Sequence, residues 1–293
     1  MMNVRFKLRE SKSLVAPQGP QKVRAIFSNI AGTKLSFKVP KHRPRNPNDD
    51  PIFPDRHYSS ERLPLYSNYN EQDEEIGRKN IFRSREIFSH AWAYYGPWFT
   101  GVLSELRLDL SLYRPVNYQQ QFSLFHPRAL EMVIGDYLDY HYSYCRDKTR
   151  NNIQELIAPV GWTPLHHLPV NTVRLEVQEQ AFIPGRMDRT TVFFPLMDDL
   201  IVVMHFEASC LRNLPREEIE KLVNPQPMLD TIDNIINSIQ LKLSPEAQAQ
   251  QTKALEGLAD TSLIKNFPPI KWDQLDDQAT QAILLEAKQQ RKI

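Results

Sequence analysis

Glycine is scarce in this chain, nine among 293 residues. That leaves little material for loops that hold phosphate through bare backbone, and neither a Walker loop nor a GxGxxG run occurs. Cysteine is scarcer: Cys145 and Cys210 lie far apart with no CxxC spacing. A disulfide framework and a cysteine zinc cluster are both excluded. There is no GxSxG elbow, no HExxH, and no histidine pair one helical turn apart. No apolar run is long enough to span a bilayer. The expectation is a protein without metal or cofactor, and not an enzyme of a recognisable motif class.

The N-terminus, MMNVRFKLRESKSLVAP, is basic but lacks the apolar central stretch of a secretory signal. The reading is cytoplasmic, or periplasmic if a leader had been removed. Charge is unevenly spread. Residues 1–48 hold eleven Lys/Arg and one acid, a net +10, so the rest carries −9 against an overall +1. Such a segment can contact nucleic acid, anionic lipid or an acidic protein, or pair with the acidic remainder of its own chain.

Proline is plentiful. Six fall between residues 40 and 79 (Pro40, Pro44, Pro47, Pro51, Pro54, Pro64), which predicts a long irregular excursion. Phe53, Tyr58, Leu65, Tyr66 and Tyr69 would let it lie across the surface, and Phe53, Tyr58, Tyr66 and Tyr69 are candidates for partner contact. Before it, KVRAIFSNI and KLSFKVP read as a hairpin turning at Ala31-Gly32-Thr33. The strands after it are expected to resume the same sheet.

Residues 90–101, HAWAYYGPWFTG, concentrate aromatics around Gly96-Pro97. HAWAYY and WFTGVLSELRLDLSLY predict successive antiparallel strands. Leu106, Leu108, Leu110 and Leu112 share one face and fix the register, since a one-residue slip would expose all four. His90, Trp92 and Tyr94 share a face that can fill a core layer. Tyr95, Trp98 and Phe99 at the bend are candidates for a partner surface, because Trp and Tyr commonly anchor interfaces.

HPRALEMVIGDYLDYHYSY predicts a helix with Leu130, Ile134 and Leu138 as its apolar stripe. TVRLEVQEQAF, TTVFFPL and LIVVMHFEAS predict strands, the last two joined at Met197-Asp198-Asp199. PMLDTIDNIINSI is an amphipathic helix feeding a short strand, IQLKL. Ser244-Pro245-Glu246 starts another helix, and DDQATQAILLEAKQQRKI a last one. The pattern is α+β: antiparallel sheets with packed helices, divided as residues 1–150 and 151–293.

Two further groups of residues have the types that chemistry uses. His166 and His167 adjoin in GWTPLHHLP, but neighbours on a strand face opposite sides and cannot readily share a metal. His205 and Glu207 share a strand face with Cys210 nearby, the residue types of a hydrolytic nucleophile site; the alternative is an edge-strand face.

LIVVMHFEAS followed by PMLDTIDNIINSIQLKLSPE, about residues 190–245, resembles the closing helix and strand of PsbP-like α/β proteins. That class includes adaptor chaperones and immunity proteins accompanying bacterial type VI secretion toxins. The resemblance implies two PsbP-like halves. It also implies a non-enzymatic protein that neutralises or escorts a secreted effector, and it carries over no binding residue. Nucleic-acid association through the basic segment is the alternative.

Overall fold

Alternating burial along each strand sets the architecture. The computed structural model describes residues 15–55, 57–58, 65–67, 81–97, 101–116, 122–142, 156–179, 187–210 and 221–270. The fold is α+β, with two sheets that are antiparallel but for one short pair.

The first strands form the expected hairpin, β1 (Val23–Ile30) and β2 (Thr33–Pro40). Its turn is two residues, Ala31 at φ 50° and Gly32 at φ 83°. Both lie in the left-handed region, as the tight hairpin turn that matches strand twist requires. Thr33 is already in β2. Two short strands follow, β3 (His57–Tyr58) and β4 (Tyr66–Ser67), and then two long ones, β5 (Phe82–Tyr95) and β6 (Val102–Pro115). Helix α1 (Pro127–Tyr142) leads to β7 (Leu156–Leu165), β8 (Thr172–Glu179), β9 (Arg189–Met197) and β10 (Leu200–Cys210). Helix α2 (Gln226–Asn237), β11 (Gln240–Lys242) and α3 (Pro245–Leu255) close the described fold. Ser244 caps α3, its hydroxyl accepting from the Ala247 amide, as the sequence predicts.

Strand order is β11-β2-β1-β3 in one sheet and β4-β5-β6-β10-β9-β8-β7 in the other. This corrects one expectation. The strands before and after the proline-rich excursion belong to different sheets, because β1 and β2 complete themselves with β11 rather than with β5. The larger sheet takes β4–β6 from residues 1–150 and β7–β10 from residues 151–293, joined where β6 pairs with β10.

Two apolar layers cover the two faces of the larger sheet. The first lies between the sheets. Leu106, Leu108, Leu110 and Leu112 meet Ile30, Phe37 and Val39 of the hairpin and Ile232 and Ile236 of α2. Each buried leucine contributes roughly 1.5–3 kcal/mol. Trp92 and Tyr94 lie in the same layer with no exposed surface. Trp92 donates its indole N–H to the Pro40 carbonyl at 3.1 Å, and the Tyr94 hydroxyl donates to Thr231 at 2.7 Å. The second layer packs Leu130, Ile134 and Leu138 of α1 against Val173, Phe193 and Ile201. Trp162 and Phe267 extend it, ring centroids 4.9 Å apart.

The outer edge of β5 is clipped by short segments rather than by one full strand. Gln18 bonds Tyr95, Arg43 bonds Ala91 and Ala93, and Ile52 bonds Ser89, all through backbone. β4 pairs with Ser84 and Arg83. The described part of the excursion thus lies across the sheet edge, and its own backbone groups find partners there.

Candidate functional site

Three surfaces come from these elements. The first is the outer face of the smaller sheet. Inward residues of β1 and β2 are core, so the opposite phase, Val23, Ala25 and Phe27, faces solvent. Phe27 is 69% exposed and Val23 59%. Ser36 lies opposite Phe27, and Lys38 opposite Ala25. Lys34 lies between Asn29 and Lys242. No acidic side chain stands on this face among the described residues of β1, β2 and β11. The result is an apolar strip beside three lysines.

The second is a basic hollow of about 580 Å³ beside the edge of β5, lined by Lys22, Lys41, His42, Arg43 and Tyr95 among others. The Arg43 guanidinium lies 4.4 Å over the Tyr95 ring. Gly19 belongs to this rim. A Cβ there would stand 2.4 Å from the Tyr94 ring, so only glycine fits.

The third is a polar cleft of about 610 Å³ on the α1 side of the larger sheet. Strand registry builds its floor. Glu86 lies opposite Ser111, and Asp109 lies between Ser89 and His205. Registry shifts at Ile87 in β5, where a bulge breaks the alternation and leaves Glu86 on the polar face. Asp109 accepts from the Ser89 hydroxyl at 2.6 Å and from Arg107 at 3.1 Å. Tyr137, His141 and Tyr142 at the end of α1 form one wall, and Tyr66 stands at the other. Tyr137 and His141 rings lie 4.2 Å apart.

Electrostatics keep this cleft nearly neutral. Burial, with Asp109 alongside, raises the Glu86 carboxyl above its ordinary range. Burial and nearby Arg189 hold His205 down to about 4, so its imidazole is neutral at pH 7. Its Nδ1 is 3.2 Å from the Thr191 hydroxyl. Burial raises Tyr113 and Tyr137, which keep their hydroxyl protons. Arg85, also on the lining, lies 3.6 Å from Asp55 and over the Tyr58 ring.

The residues anticipated from sequence fall in different places. Tyr66 is 61% exposed at the cleft mouth. Phe53 is 47% exposed, with Arg24 4.5 Å over its ring. Tyr95 is half-buried in the basic hollow. Tyr58 is a correction: it is only 5% exposed, its phenol oxygen accepts from the Asp55 amide, and it presents no surface to a partner. Trp98, Phe99 and Tyr69 lie outside the described residues, as do Cys145 and the final predicted helix.

The hydrolytic trio does not assemble. His205 and Glu207 share the polar face, but Cys210 has the opposite phase and is buried in the layer between the sheets. His166 and His167 sit just past β7, and the His167 ring meets the Ile236 carbonyl at 3.2 Å. Among the described residues, no three His, Cys, Asp or Glu side chains converge as a metal site. No described helix is long and apolar enough to cross a membrane.

Sequence reasoning missed Phe27 and Glu86. For Phe27 the signal was present: it is out of phase with Ile26 and Ile30. For Glu86 it was the pair Ile87-Phe88, two adjacent apolar residues that break alternation and mark the bulge.

Comparison with protein-family models, with curated proteins and with solved structures gives no match to this chain.

Proposed function

We propose that the protein is a binding protein for another protein, an immunity protein or adaptor that neutralises or escorts a secreted bacterial toxin. The carrying observation is the outer face of β1, β2 and β11. Phe27 and Val23 are exposed on a paired sheet, beside Lys34, Lys38 and Lys242. Large exposed apolar side chains on a regular element suit docking, and the lysines select an acidic partner. The resemblance of residues 190–245 to PsbP-like adaptor and immunity proteins supplies the class of partner.

The test is affinity capture from the native host with the wild-type chain and with Phe27→Asp. The expected result is an acidic protein retained by the wild type and lost by at least about tenfold in the variant, the effect of removing one interface anchor. Co-expression then separates the roles. Restored growth in the presence of the captured protein marks an immunity protein, and increased secretion of it marks an adaptor. No captured protein, or one indifferent to Phe27→Asp, overturns the reading.

A second reading, nucleic-acid association, has its own observation in the hollow of Lys22, Lys41 and Arg43 around Tyr95. It requires binding to duplex or single strand at low salt that falls steeply as salt rises. Absence of binding at low salt ends it.

A further inference from the structure

The polar cleft is not absorbed by either reading. It lies on the α1 side of the larger sheet, away from the outer face of the smaller one. Its volume, about 610 Å³, is within the range of small-ligand sites. Its chemistry is specific in three respects.

First, its floor interleaves donors and acceptors. Glu86 and Asp109 offer carboxyl oxygens, Ser111 and Tyr113 offer hydroxyls, and His205 offers an imidazole. Hydroxyls give and accept, whereas carboxylates chiefly accept. A ligand that carries hydroxyls on neighbouring carbons satisfies such a floor at every position. Second, the charges of its lining balance, Glu86 and Asp109 against Arg85 and Arg189. Asp109 is held by Arg107 and Ser89, and Arg85 by Asp55. A ligand with net charge gains little here and loses its hydration. Third, Tyr66 stands at the mouth, 61% exposed as a residue and fixed to the sheet by the pairing of Tyr66 with Ser84. An exposed ring beside a hydroxyl-rich floor provides an apolar face with polar groups next to it. A sugar ring has the matching pair of surfaces, C–H on one side and hydroxyls around the rim.

We infer that this cleft binds an uncharged carbohydrate of one or two rings, stacked on Tyr66 and hydrogen-bonded to Glu86, Asp109 and Ser111.

The test is saturation-transfer NMR with the full chain and millimolar cellobiose, maltose, lactose and di-N-acetylchitobiose, with glutamate and inorganic phosphate as charged probes. Tyr66→Ala and Glu86→Gln are run beside the wild type. Both positions are exposed, and thermal melts verify that the variants remain folded. At least one disaccharide is expected to bind. Either variant should weaken it by about tenfold, the change caused by losing one hydrogen bond to a charged group or one stacking contact. The inference is overturned if no disaccharide binds, if binding is unchanged in both variants, or if only glutamate or phosphate binds.

Discussion

His90 is 1% exposed and sits among charged and aromatic neighbours. Its ring stacks on Phe88 at 4.2 Å and accepts from Arg24 at 3.1 Å. Burial, Arg24 and His42 together push its pKa down to about 3. In the unfolded chain it titrates near 6.5. Below that pH the unfolded state takes up a proton that the native state refuses. The stability contribution is therefore complete above pH 6.5 and is lost as pH falls toward 3, at up to about 1.4 kcal/mol per pH unit. Chemical denaturation at pH 7.5, 5.5 and 4.5 is expected to show this decline. His90→Gln should flatten the slope, and an unchanged slope would show that the ring takes up its proton while folded. His205 is depressed for the same cause and adds to the slope in the same direction.

At the scale of elements, the segments clipped to β5 carry a sharper prediction. Gly19→Ala places a methyl 2.4 Å from a tyrosine ring that is itself fully buried and hydrogen-bonded to Thr231. Something must shift, and the ring is held by its burial and its hydrogen bond. A loss of roughly 1–3 kcal/mol is expected, the range of overpacking, read as a lower denaturant midpoint with an unchanged slope. Full stability in Gly19→Ala would mean that the segment near Gln18 can leave the strand edge without cost.

The strands differ in how plainly sequence announces them. β6 is legible because Leu106 to Leu112 alternate without interruption and each face has one character. β10 is legible as an apolar run that passes into alternation after Met204, and helix α2 by apolar residues at helical spacing. β7 was not anticipated. Pro159, Gly161 and Pro164 break its pattern, and its pairing with β8 shifts register twice. β3 and β4 are two residues each, too short for any periodicity to register. Sheet membership was also hidden. The alternation in β2 is the same whichever strand lies beside it, and its partner β11 lies far along the chain. The cleft was hidden for a related reason: Glu86, Asp109 and His205 come from three strands, and only strand order brings them together.

For the whole molecule, both apolar layers draw on both halves of the sequence. Trp92 lies in the layer between the sheets and Trp162 in the layer under α1. Between them run β6 and β10, paired from Ser104 with Cys210 to Tyr113 with Ile201. Loss of either layer removes support from the same central strands. Variants retaining Trp92 alone or Trp162 alone are therefore expected to melt at coincident midpoints by fluorescence. Two separate midpoints would make residues 1–150 and 151–293 independent in energy as well as in sequence.

The hairpin of β1 and β2 is made early in synthesis and finished late. Thr33 accepts from the Ser244 amide, a partner 211 residues further along. At the pace of a ribosome that distance takes about 10–40 s. Through that interval Ile26, Ile30, Leu35 and Phe37 have neither α2 nor β11 to cover them. Their cover from Phe88 and Leu106 to Leu112 is complete only once α2 and β11 have emerged, and a nascent chain stalled before residue 226 would leave part of a second apolar face uncovered, the reverse side of the one that carries Phe27.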